Sequence, residues 1–97
     1  MPNRLIQAVI DEDVEEVKRL LLFGADPNGV EDDDKITPLH FLAQKKTVPA
    51  IKIAKILIAA GANPLAPNQP DGQTPLEIAQ HFCSLEMIQI LSKGVLS

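Results

Sequence analysis

Apolar positions recur with a helical period in three stretches of this 97-residue chain. Val14, Val17, Leu20 and Leu21 fall on one face of the first stretch. Ile51, Ala54, Leu57 and Ile58 do so in the second, and Leu85, Ile88 and Leu91 in the third. A shorter helical segment precedes each, predicted over 3–10, 38–45 and 75–82. Helices this short do not hold alone in water, so they need neighbours stacked against them.

The pattern repeats. Leu21-Leu22-Phe23-Gly24-Ala25-Asp26-Pro27 returns as Ile58-Ala59-Ala60-Gly61-Ala62-Asn63-Pro64, with the glycines 37 residues apart. Thr37-Pro38-Leu39-His40 returns as Thr74-Pro75-Leu76-Glu77 at the same offset. Two independent markers with one spacing are hard to produce by chance. Each marker has a local meaning. Thr37 and Thr74 are N-caps, and Pro38 and Pro75 follow where a missing N–H costs nothing. Thr74 and Glu77 have the spacing of a capping box. Gly24 and Gly61 stand where a helix stops on a left-handed residue, with Pro27 and Pro64 just beyond. Gly94, 33 residues after Gly61, is expected to close a third, shorter unit.

With these segments and with Asp13-Val14-Glu15-Glu16-Val17-Lys18-Arg19-Leu20-Leu21, the chain resembles the ankyrin repeat family along essentially its whole length. The resemblance implies an all-α solenoid of helix-turn-helix repeats joined by extended, β-hairpin-like loops. It divides the chain as one domain into repeats of about 1–28, 29–65 and 66–97. The first repeat has no loop before its first helix and the third has polar substitutions, Glu77 and Ser92, so the two resemble capping repeats. A complete three-repeat protein is the expectation. The chain departs from the family in two further places. The second repeat has about three extra residues between its helices, and Lys35 stands where the next repeat has Gly72.

Charge refines the picture. The net charge is −4, but residues 1–34 sum to −7 and residues 35–97 to +3. The acids crowd at Glu31-Asp32-Asp33-Asp34, and the bases at Lys45, Lys46, Lys52 and Lys55. The acidic run reads either as a solvated turn or as a contact for a partner with a basic surface. The lysines read as a solvated face, with nucleic-acid binding the weaker alternative. The chain has no Trp or Tyr and too little positive charge for that role. No apolar run is long enough to span a membrane, and no signal-type stretch follows the N-terminus. The lone Cys83 suits a reducing compartment, so a cytoplasmic location is expected.

Catalytic and metal chemistry find no footing. His81 and Cys83 are two apart, but a zinc site would have to recruit carboxylates as well. The calcium pattern fails after Asp26 and Asn28, where Val30 and Thr37 occupy ligand positions. Neither a phosphate-cradling glycine loop nor a nucleophile with a base in motif context occurs. A non-enzyme without cofactor or small-molecule substrate is expected. His40 resembles the motif histidine that ties backbone and threonine at the helix start.

The resemblance implies protein binding through a concave surface of loop tips and first helices. Its variable contact positions map onto Asp33, Asp34, Ile36, Gln44 and Lys45 in the second repeat. In the third they map onto Pro70, Asp71, Gln73, His81 and Phe82. Phe82 is either an exposed anchor or packed on the turn at Cys83-Ser84. An adaptor or inhibitor is the leading expectation. A structural subunit or homo-oligomer, joined through Met87, Ile90, Val95 and Leu96, is the alternative.

Overall fold

Short polar side chains decide where the helices begin. Asn3 accepts from the Ile6 N–H at 3.1 Å and opens α1, Arg4–Ile10. Asp13 accepts from the Glu16 N–H at 3.2 Å and opens α2, Val14–Leu22. Thr37 precedes α3, Pro38–Leu42, and Thr47 caps α4, Val48–Ala59. Thr74 caps α5, Pro75–His81, and Ser84 leads into α6, Leu85–Leu96, its carbonyl accepting from the Ile88 N–H. The computed structural model describes residues 3–30, 34–69, 71–82 and 84–96, and among these there are helices, turns and loops but no strand.

The helices pair within each repeat, α1 on α2, α3 on α4 and α5 on α6. They also stack between repeats, α1 on α3 and α3 on α5 in one layer, α2 on α4 and α4 on α6 in the other. The core lies between these layers, around Val9, Val17, Leu39, Leu42, Ile53, Leu57, Met87 and Leu91. Each short helix thus gains from its neighbours the burial it cannot supply alone. Gly24 and Gly61 stop α2 and α4 with φ of 96° and 99°, a backbone region that disfavours a Cβ. Lys35 takes the same left-handed region at φ 53°, as Gly72 does at 70° one repeat later.

Four features differ from the sequence expectation. First, α3 ends at Leu42, so Gln44 and Lys45 lie in the following turn and not in a helix. Thr47 must cap α4, and Pro49 cannot sit inside a helix running on from α3, so the path breaks early. Second, Gly94 is not a stop. Helix α6 runs through it, and a glycine suits the position because a Cβ there would lie 2.9 Å from Ile58 Cδ1 and 3.2 Å from Pro64 Cγ. Third, α6 buries a different face. Met87, Ile90 and Leu91 are buried and Ile88 half-buried, whereas Leu85 is 76% exposed. Leu85 precedes Met87 by two residues, about 200° round the helix, so burying one face displays the other. The apolar end proposed for homo-oligomer formation therefore loses Met87 and Ile90 to the core. Val95 is exposed there.

The fourth difference concerns capping. The full reciprocal box forms at Thr37 and His40, where the Thr37 N–H donates to His40 Nδ1 at 2.9 Å. At Thr74 the hydroxyl accepts from the Glu77 N–H at 3.1 Å and donates to the Glu77 carboxylate at 3.2 Å.

Candidate functional interface

Among the described residues, side-chain links through His40, Asn28 and Glu12 hold the repeats in register and fix the loops. His40 is the innermost. Its Nδ1 receives the Thr37 N–H and the Thr37 hydroxyl at 2.8 Å, so the ring proton sits on Nε2. Nε2 then donates to the Gln73 carbonyl at 2.9 Å, in the loop of the next repeat. Burial pushes the His40 pKa below its ordinary value, partly offset by the carbonyls of Gln73 and Ala66. The ring is therefore a neutral cross-repeat strut.

Asn28 is the second link. Its Nδ2 donates to the Gly61 carbonyl at 3.1 Å, and its Oδ1 accepts from the Asn63 N–H at 2.6 Å. Glu12 is the third. It reaches from the α1–α2 turn to the Thr47 hydroxyl and lies 3.6 Å from Lys45 Nζ. Glu12 is itself left-handed, φ 56°, a conformation this double contact helps to hold.

The loop edge is closed in the same manner. The Asn68 N–H donates to the Gln73 carbonyl at 2.9 Å, and the Gln73 N–H to Asn68 Oδ1 at 2.9 Å. This gives the third loop a hairpin-like turn. The Gln69 N–H donates to the Asp34 carbonyl at 2.7 Å and ties it to the second loop.

On this frame the expected contact residues take distinct places. Asp34, Asp71 and Gln73 are exposed on the two joined loops, and Ile36 is half-buried beneath them. Gln44 is exposed after α3. Lys45 is half-buried and turned to Glu12. His81 and Phe82 are exposed at the end of α5, their rings edge to face with centroids 5.2 Å apart. Phe82 is 44% exposed, so the aromatic reaches solvent. Asp33 and Pro70 lie outside the described residues, as do Glu31, Asp32 and Cys83.

Other exposed apolar groups carried no signal as contacts in the sequence. Leu22 and Phe23 are 85% and 77% exposed at the end of α2, with the Arg19 guanidinium 5.9 Å from the Phe23 ring centre. Val48 and Leu85, the first residues of α4 and α6, are also exposed. For Leu22, Phe23 and Val48 the available hint is a position outside the amphipathic stripe, whereas the spacing places Leu85 within one. Among the described residues no group of three His, Cys, Asp or Glu side chains is placed to hold a metal ion. Nor is any helix among them long and apolar enough to cross a membrane.

These paired helices, stacked in two layers with their loops at one edge, define a helical-repeat interaction module. A family model of ankyrin repeats, in three copies, matches residues 5–95, and the chain belongs to the ankyrin repeat family. An ankyrin repeat domain from Acinetobacter baumannii AYE, solved at 1.00 Å, superposes with a TM-score of 0.84 at 29% identity. The match covers 94% of this chain and 46% of that one. The chain is 36% identical over 89 residues to the potassium channel KOR1 of Oryza sativa subsp. japonica. It is 40% identical over 77 residues to the 2-5A-dependent ribonuclease of Mus musculus. These matches cover 92% and 79% of this chain but only 10% of either relative. Ankyrin repeats are protein–protein interaction modules, and the fold is typically non-catalytic.

Proposed function

We propose that this chain is a non-catalytic adaptor or inhibitor that occupies the surface of another protein. It grips through the loop edge, at Asp33, Asp34, Ile36, Pro70, Asp71 and Gln73, and through the ends of the first helices, at Gln44, Lys45, His81 and Phe82. The three repeats, divided near residues 28 and 65, act as one domain. The observation that carries this reading is the exposed Phe82 beside His81, an aromatic anchor on a frame already held by hydrogen bonds. A frame ordered before binding loses little entropy on association. The acids at Asp33 and Asp34 favour a partner with a basic surface.

Affinity purification followed by binding kinetics tests it. Phe82→Ala should weaken a captured partner by about 2 kcal/mol, a typical hot-spot loss. Asp33→Lys with Asp34→Lys should slow association and flatten its salt dependence. Unchanged binding by both variants overturns the reading.

A further inference from the structure

We propose that the second-helix layer carries a separate binding surface, a groove between α4 and α6 that takes an acidic amphipathic helix from a partner protein. Two cavities line up there, of about 450 and 230 Å³, and they share Lys55. The first is bounded by the opening residues of both helices, including Val48 and Leu85. The second is bounded by later residues of both, including Ile58 and Ile90. The two helices therefore run alongside each other in the same direction. No residue of α1, α3 or α5 lines either cavity, so the groove is distinct from the loop edge.

Its chemistry is specific in two respects. The floor is apolar: Ile58 is half-buried in it beside the largely buried Ile51 and Ile90, and Val48 and Leu85 stand 68% and 76% exposed at one end. The rim is basic: Lys46, Lys52, Lys55 and Lys93 face a single acid, Glu86. Lys52 and Lys55 are three apart on one helix and repel each other. An occupant with acids on its flanks relieves that repulsion and avoids leaving the ammonium groups uncompensated.

The 12 residues of α4 span about 18 Å, enough for about three turns of a docked helix. Such a helix would seat apolar side chains at every third or fourth position, the usual way a helix fills a groove. Nucleic acid fits less well. The lining has no aromatic or Arg group, and phosphates would leave the apolar floor unpaired with anything.

The probe is a synthetic amphipathic peptide of about 14 residues, with leucines at helical spacing and glutamates on both flanks. It is titrated into the isotope-labelled full chain and followed by amide NMR shifts. Shifts should centre on Ile51, Lys55, Leu85 and Ile90. Lys52→Glu with Lys55→Glu should weaken binding about tenfold or more, and Leu85→Asp comparably. All three positions are exposed, and a thermal melt confirms the fold of each variant. Phe82→Ala should leave this binding unchanged, which separates it from the loop-edge reading.

Several results overturn the proposal. These are no shifts at about 1 mM peptide, equal binding of a version with lysines for glutamates, or shifts confined to the loop edge. Tighter binding of single-stranded RNA or of phosphatidylserine vesicles does the same. So does sedimentation showing self-association that Lys52→Glu and Lys55→Glu abolish, which would make a second copy the occupant.

Discussion

His40 Nε2 donates to the carbonyl of Gln73, 2.9 Å away and 33 residues further along the chain. The bond is possible only because Nδ1 of the same ring is occupied by the Thr37 N–H and hydroxyl. One neutral imidazole thus caps the start of α3 and holds the loop before α5. Its removal leaves the buried Thr37 N–H without its partner and cuts the tie to Gln73, whose carbonyl keeps only the Asn68 N–H. His40→Ala should cost about 2–4 kcal/mol, read as a lower urea midpoint.

The same ring gives a pH dependence with a defined sign. Burial lowers the folded-state pKa of His40 below its ordinary value of 6.5. The unfolded chain therefore takes up the proton first on acidification. The stabilisation is fully present above about pH 6.5 and is lost as pH falls through the folded pKa. Urea midpoints between about pH 5 and 8 should decline on the acid side more steeply for the wild type than for His40→Ala. The difference between the two curves removes the contribution of the carboxylates.

Asn28 joins consecutive loops through both ends of its amide. Asn28→Ala should destabilise by about 1–2 kcal/mol, since two exposed hydrogen bonds are lost together. Asn28→Asp keeps the acceptor for the Asn63 N–H and should recover part of that loss. Thermal denaturation of the three proteins checks the order.

Gly94 and Ile58 should be coupled. A Cβ at Gly94 gains helix propensity, worth up to about 1 kcal/mol, but meets Ile58 Cδ1 at 2.9 Å. Gly94→Ala alone should be near neutral, and Gly94→Val destabilising by about 1–3 kcal/mol. Ile58→Val removes the obstructing methyl. In that background Gly94→Ala should be better tolerated than in the wild type, with Pro64 Cγ at 3.2 Å still close, and a double-mutant cycle measures the difference.

Lys35 holds a left-handed backbone at φ 53° that the third repeat assigns to Gly72. Lys35→Gly should raise stability by up to about 1 kcal/mol, with strain relief opposed by the added freedom of the unfolded chain. Gly72→Ala should lower it by a similar amount. Paired melting curves decide whether the two loop positions are equivalent.

The helical repeat was legible because its punctuation is local. Thr37, Thr74, Gly24 and Gly61 act on their own turn of chain, so their 37-residue spacing survives in the structure unchanged. The phase of α6 was not legible. Leu85 and Met87 are equally apolar, and only packing against α4 and α5 decides which is buried. Gly94 carried the composition of a stop but serves a close approach, which involves residues more than 25 positions away. The length of α3 depended on Pro49 and Thr47 acting from beyond its end. Among the proposed contact residues, exposure of Phe82 could not be read from spacing, whereas the loop placement of Asp34, Asp71 and Gln73 could.

The links through Glu12 and Asn28 join the first repeat to the second, and the link through His40 joins the second to the third. Apolar contacts resist prising two layers apart but yield readily to sliding, because they have no direction. The polar links are directional and so oppose the slide. A load applied along the loop edge would therefore be shared across the whole stack, as in a riveted girder, instead of tilting one repeat at a time.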